Sequence, residues 1–293
     1  MKRRPRRTGS IALGAAIFAV AVIVRLIPLG LYVTPDEPIW VLRSHQLLTA
    51  VETGDLSAVP QTGHPGMTTM ALGALGIWIT ERISPAEAAV QRDWIGRIAS
   101  LAPENGAAFP HLVAFLPAGR TLVALVTSAG LALALCVAKR RIGGQVARLA
   151  ALCLALDPFV AGHSGLLHTD GLQATFVLLA VVFALPVRRR TTGNATRAWL
   201  PSIVATAAFL ALAGLTKTLG LLAAPGLALA IFLWWKGPIR VRVTRVVVLG
   251  LLTTTFLVLL YPPMWFAPRE AFDLLIGAVT YHDLERAQSV LLV

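Results

Sequence analysis

The stretch "YVTPDEPIW", residues 32–40, sets two adjacent carboxylates, Asp36 and Glu37, between two prolines. They follow a long apolar run, and acids beside a bilayer are costly unless they face a cavity. An ionised carboxylate held there is suited to taking a proton from a reacting group. On a helix the two side chains would point about 100° apart, so they are not expected to act as a symmetric pair. Further chemistry-bearing residues stand elsewhere: His64 in "GHPG", His168 and Asp170 in "SGLLHTDGLQATF", Lys217 in "LAGLTKTLGLLAAP", and Arg269 in "WFAPREAF". Lys217 sits between apolar runs, and a cation buried there needs an anion. A phosphate suits lysine as a point charge. Plain structural roles compete with each of these. Asp36 could be a turn former beside Pro35, Asp170 a helix N-cap, and each histidine a satisfied hydrogen-bonding residue.

The elements that must position these residues follow from composition. Of 293 residues, 56% are hydrophobic and only 14% charged, with a mean hydropathy of +0.73. A soluble domain is nearer a quarter charged, so the chain reads as a polytopic membrane protein. The net charge of +12 does not point to nucleic acid, because the basic residues cluster in short groups between apolar runs. Cys136 and Cys153 both lie in apolar runs, make no metal spacing, and read as small core residues.

Apolar runs fall at 11–33, 119–138, 145–162, 171–187, 200–216, 218–235 and 246–261. Basic groups follow the second, fourth and sixth: Lys139 to Arg141, Arg188 to Arg190, and Lys236 to Arg245. With the basic tail 1–10 in the cytoplasm, seven spans put all of these groups inside. The first run is longer than a signal-peptide core and is read as an uncleaved span. A further run, 67–83, would break the parity. It is expected to lie on or dip into the outer face. The fold class is therefore an all-α polytopic membrane protein: one domain over 1–293, about seven transmembrane helices, a long first outer loop at 34–118 with membrane-parallel helices, and an outer amphipathic segment at 269–293. This topology brings Asp36, Glu37, His64, His168, Asp170, Lys217 and Arg269 to one outer surface. His163 and Asp157 read as interior polar packing. The "NAT" sequon at 194–196 falls on the cytoplasmic side and is discounted.

The order of motifs resembles the membrane glycosyltransferases of the GT-C superfamily, in particular the family 39 group. That group includes the dolichyl-phosphate-mannose protein mannosyltransferases and the lipid A aminoarabinose transferases. "TPDEPIW" is similar to the acid motif after the first span, and "GHPGMTTM" to the "HPP" or "KPP" element of the same loop. "LLHTDGLQATFVLLA" is similar to the acidic turn, "GLTKTLGLLAAP" to the L-x-K-x-x-G element, and "YPPMWFAP" to a tryptophan-proline segment at a later helix end. The resemblance covers most of residues 10–270. "HPG" departs from the double proline. Family members usually have eleven or more spans, so the 293 residues are expected to be a piece of a longer protein.

The resemblance implies a polyprenyl-phosphate-linked sugar donor and an acceptor hydroxyl on protein, lipid or glycan. Asp36 is then the general base, with Glu37 and Asp170 as acidic neighbours. His64, His168, Lys217 and Arg269 bind substrate, Lys217 and Arg269 at the leaving phosphate. One base and direct displacement imply inversion. No cofactor is assigned; a divalent cation on Asp36, Glu37 and Asp170 stays open, since some superfamily members use one. The implied location is the plasma membrane and cell envelope, multi-pass, N-terminus cytoplasmic, active site outside. The rival readings are a secondary transporter and a non-catalytic membrane assembly protein. Polar residues gathered at one face rather than at the midplane weigh against the transporter.

Overall fold

A computed structural model describes residues 7–27, 29–30, 32–61, 64–187 and 199–280, and among these residues there are helices and no strand. The basic tail at 1–6, the group at 188–190, the sequon at 194–196 and the end at 281–293 lie outside the described residues.

The apolar runs fold as helices close to the expected bounds. They are α1 (Arg7–Leu26), α6 (Leu116–Ala138), α7 (Gly144–Leu156) with α8 (Pro158–Ser164), α9 (Thr169–Ala184), α10 (Leu200–Thr216), α11 (Ala223–Trp234) and α12 (Ile239–Leu260). Of these, α6 and α12 are long and apolar enough to cross a membrane as single helices, and the α7–α8 pair, bent by 64°, makes a third span if counted as one. The remaining apolar helices are shorter. The run at 218–235 opens with a 3-10 turn over Thr218–Leu222 before α11 begins. The bend between α7 and α8 has a local cause: Asp157 stands before Pro158 and accepts a hydrogen bond from Val160 N at 2.8 Å, capping α8. Asp157 is thus a helix cap rather than interior polar packing. Cys136 and Cys153 are exposed rather than core residues.

The segment expected as the first outer loop contains α2 (Glu37–Thr53), α3 (Met67–Ile83), α4 (Pro85–Gly96) and α5 (Phe109–Val113), joined by 3-10 turns over Leu56–Ala58 and Pro103–Ala108. The 67–83 run is helical, as its pattern requires, and α3 packs against both α2 and α6. It comes very close to α6, because a Cβ on Gly76 would meet Gly119 N at 2.8 Å. Small residues let the two backbones approach in this way. Arg92 of α4 ties the module together, reaching Glu52 of α2 at 2.8 Å and Glu81 of α3 at 2.6 Å. Beyond α12 lie α13 (Pro263–Phe266) and α14 (Pro268–Thr280), which occupies the start of the expected outer segment.

At the opposite ends of the helices, basic side chains pin helix ends. Arg141 donates to Phe183 O and Ser202 Oγ, both at 3.0 Å, joining the ends of α9 and α10. Arg245 donates to Trp235 O at 3.0 Å and lies near the rings of Trp199 and Trp235. Arginine near a helix C-terminus satisfies carbonyls that have no intrahelical partner.

Candidate active site

Four breaks in helical structure meet at one place: the start of α2, the turn at 64–66, the start of α9 and the end of α10. Each break has a sequence cause. Asp36 is the N-cap of α2, with Pro38 in the first turn, where proline's missing N–H does no harm. Gly66 has φ +60, and a Cβ there would fall 2.1 Å from the Trp40 ring. Only glycine combines that conformation with that contact. His168 caps α9 with extended backbone, and Lys217 ends α10 in the same way. The 64–66 turn is fastened to the end of α10 by Gly66 N to Thr216 O at 3.2 Å and by Thr68 Oγ1 to Thr216 Oγ1 at 2.7 Å.

Glu37 and Asp36 are neighbours with opposite settings. The Glu37 side chain is 0% exposed. Arg120 of α6 donates Nε to its Oε1 at 2.7 Å and Nη2 to its Oε2 at 2.6 Å. Leu167 N reaches Oε1 at 3.0 Å, and the Thr34 N–H and hydroxyl reach Oε2 at 2.9 and 3.0 Å. The same guanidinium also donates to the Leu29 and Tyr32 carbonyls. Burial pushes the Glu37 carboxyl up, but the Arg120 fork and the backbone donors outweigh it and hold it below the ordinary glutamate value. Every lone-pair position of this carboxylate is used, so Glu37 fixes the α1–α2 connection to α6 and α9.

Asp36 is open. Its side chain is 67% exposed, and Oδ2 lies 3.0 Å from His168 Nε2. The other ring nitrogen, Nδ1, accepts from Asp170 N at 3.4 Å and lies 3.5 Å from Asp170 Oδ2. Lys217 Nζ donates to Asp170 Oδ1 at 2.8 Å. Residues 36, 168, 170 and 217 therefore form one continuous polar line. The His168 hydrogen bond, against partial burial and with help from the fields of His168, Lys217 and Arg43, holds the Asp36 carboxyl below the ordinary aspartate value. It is ionised at neutral pH and able to accept a proton.

His64 borders this line. Burial, then Lys217, Arg43 and His168, hold its imidazole below the ordinary histidine value, with Asp170 opposing. Arg269 does not join the line. It is exposed in the first turn of α14 and makes no hydrogen bond or ion pair among the described residues.

A divalent cation does not fit Asp36, Glu37 and Asp170 as arranged. Both Glu37 oxygens already accept from Arg120 and other donors, and Asp170 is bound to Lys217. Among the described residues no cluster of three or more His, Cys, Asp or Glu is placed to hold a metal ion.

Two site residues were missed in the sequence. Arg120, buried in the Glu37 clasp, is a lone arginine at the start of an apolar helix. The argument that singled out Lys217 applies to it unchanged. Arg43 lies on the Asp36 side of α2, over the Trp40 ring at 4.9 Å, and its spacing from Asp36 is the signal that could have found it.

Residues 111–272 match the family model described as dolichyl-phosphate-mannose-protein mannosyltransferase. Arg120, His168, Asp170, Lys217 and Arg269 fall within the match, while Asp36, Glu37, Arg43 and His64 precede it. Comparison with curated proteins and with solved structures gave no match.

Proposed function

Because the chain belongs to the dolichyl-phosphate-mannose-protein mannosyltransferase family, a group of GT-C type glycosyltransferases, we propose that it moves a sugar from a polyprenyl-phosphate donor to an acceptor hydroxyl at the outer face of the membrane. The observation that carries this reading is the line Asp36–His168–Asp170–Lys217, an exposed carboxylate at one end and a cation at the other. Mannose is the first sugar to test, since it is the one in the family description. The acceptor is a hydroxyl of protein, lipid or glycan.

Asp36 takes the proton of the acceptor hydroxyl as its oxygen attacks the anomeric carbon. The bond from that carbon to the phosphate oxygen breaks, and its electron pair leaves with the lipid phosphate. Direct displacement by one base inverts the anomeric centre. His168 donates from Nε2 to Asp36 and keeps the carboxylate aimed. With Nδ1 accepting from Asp170 N, Nε2 is the nitrogen that can donate to Asp36. Lys217 supplies positive charge where the phosphate collects its negative charge, and Asp170 orients that ammonium. His64, whose imidazole is held below the ordinary histidine value by burial and by the field of Lys217, contacts the donor headgroup as a hydrogen-bonding group. Arg269, exposed at the start of α14, meets the donor lipid at the rim. Glu37 is a positioning residue.

The test is transfer of labelled mannose from polyprenyl-phosphate mannose to acceptors in membranes holding the wild-type chain or Asp36→Asn. The expected loss is about 100-fold or more, typical of removing a general base, at unchanged protein level. Wild-type rates in that variant remove Asp36 from the mechanism. The side of the membrane is tested apart from the chemistry by cysteine labelling at Ser84, the residue closing α3. An impermeant reagent applied outside should reach it; labelling only from the cytoplasm reverses the topology.

A further inference from the structure

Arg43 has no part in the proton transfer or in the Lys217–Asp170 pair. Asp36, Trp40 and Arg43 stand at i, i+4 and i+7 along the start of α2, so they share one stripe of that helix. The guanidinium lies over the Trp40 ring at 4.9 Å, and Trp40 is itself held by the tight approach of Gly66. The side chain is partly buried, and among the described residues it makes no hydrogen bond and no ion pair. Its charge acts on both Asp36 and His64, and it stands on the same stripe of α2 as Asp36. Five N–H donors in a fixed fork are thus present there without a protein acceptor.

Counting charge gives this residue a role. Lys217 is already bound to Asp170 at 2.8 Å, which leaves Asp36 and Arg43 as the other opposite pair, near each other but not joined. His168 and His64 are the remaining titratable groups at the pocket. A sugar phosphodiester donor carries one negative charge, and the lipid phosphate that departs carries two. The second appears as the bond to the anomeric carbon breaks, the moment at which Asp36 gains the acceptor proton and loses its charge. The total is conserved: carboxylate plus phosphodiester becomes carboxylic acid plus phosphate dianion.

We propose that Arg43 is a charge-switched phosphate ligand, balanced by Asp36 before transfer and by the departing phosphate once Asp36 holds the acceptor proton. Such an interaction strengthens between ground state and transition state, so it accelerates the chemical step instead of only tightening donor binding. A guanidinium suits the task because its fork meets two phosphate oxygens at once. The inference rests on Asp36 as the base.

The experiment measures binding and requires no turnover. Sugar-free undecaprenyl phosphate is titrated into the detergent-purified full chain as wild type, Asp36→Asn, Arg43→Gln and the double variant. Asparagine stands in for the protonated carboxyl. Asp36→Asn should bind the phosphate about tenfold more tightly than wild type, the scale of one charge-assisted hydrogen bond, and Arg43→Gln should remove that gain in the double variant. Absence of the gain, or its survival without Arg43, overturns the proposal. Each variant is checked by thermal melting; if Arg43→Gln does not fold, Arg43→Ala and the same two criteria take its place. Transfer by Asp36→Asn reads the base separately, so a failure of that reading is distinct from a failure of the switch.

Discussion

Asp36 Oδ2 and His168 Nε2 lie 3.0 Å apart, although one residue caps α2 and the other caps α9. This contact joins the segment before α6 to the helical bundle at an exposed carboxylate. It also gives His168 a specific demand, an N–H at the Nε2 position. His168→Gln places an amide N–H near that position, whereas His168→Leu places none. The leucine variant should lose about tenfold in kcat, consistent with one lost hydrogen bond to a charged group, with KM for the donor little changed. The glutamine variant should recover part of it. Equal losses in both variants, or a loss confined to KM, count against positioning of Asp36.

The clasp between Arg120 and Glu37 is buried on both sides, with side chains 3% and 0% exposed. Removing one partner of such a pair strands a charge and costs about 3–5 kcal/mol. Arg120→Met should therefore lower thermal stability sharply, as should Glu37→Leu. The double variant should be less destabilised than the sum of the two, because neither charge is then left alone. A double variant at or beyond the sum shows that the pair is not coupled. Arg120→Lys should not rescue, since a lysine cannot bridge both oxygens and two backbone carbonyls.

What was legible in the sequence and what was not divides along physical lines. The apolar runs located the helices but missed some ends by up to seven residues, since continuous hydropathy marks a helix without marking where it is capped. Asp36, Asp170 and Lys217 stood out because charges are rare in such a chain. The division of labour between Asp36 and Glu37 was not legible. Both are acids in one dipeptide, and only the arrival of Arg120 and Leu167 N from distant segments makes Glu37 structural. The bend at Asp157 was legible in the Asp157–Pro158 pair, which starts a new helix, but treating 145–162 as one apolar run passed over it. Arg43 escaped notice because a lone arginine on a mixed helix reads as a solvated face until Trp40 and Asp36 are seen beside it.

His64 gives the site a pH signature. Burial and nearby cations hold its imidazole below the ordinary histidine value. The unfolded chain then binds a proton at a pH where the folded chain does not, so stability rises with pH through that window. The sign follows directly: the folded state is at full strength above about pH 6.5 and weakens as pH falls below it. His45, whose imidazole is lowered first by burial, contributes a parallel slope, so the comparison must be made within one background. Melting temperature measured from pH 7.5 to 5 should fall less steeply in His64→Gln than in wild type. Superimposable slopes remove His64 from the account.

Gly66 is where backbone, cation and site meet. Its φ of +60 and the Trp40 ring 2.1 Å from an added Cβ make any side chain costly. Gly66→Ala should destabilise the fold by about 1–3 kcal/mol through left-handed strain and overpacking together. Gly54, with φ +75 and open space around its Cβ position, supplies the control: Gly54→Ala carries the strain without the clash. The two variants should differ in activity more than in stability. Gly66→Ala, unlike Gly54→Ala, displaces Trp40, on which Arg43 rests, and Gly66, unlike Gly54, hydrogen-bonds to the residue before Lys217. Transfer rates per folded molecule should fall in Gly66→Ala and stay near wild type in Gly54→Ala. Equal rates in the two variants would mean that the Trp40 contact serves packing alone.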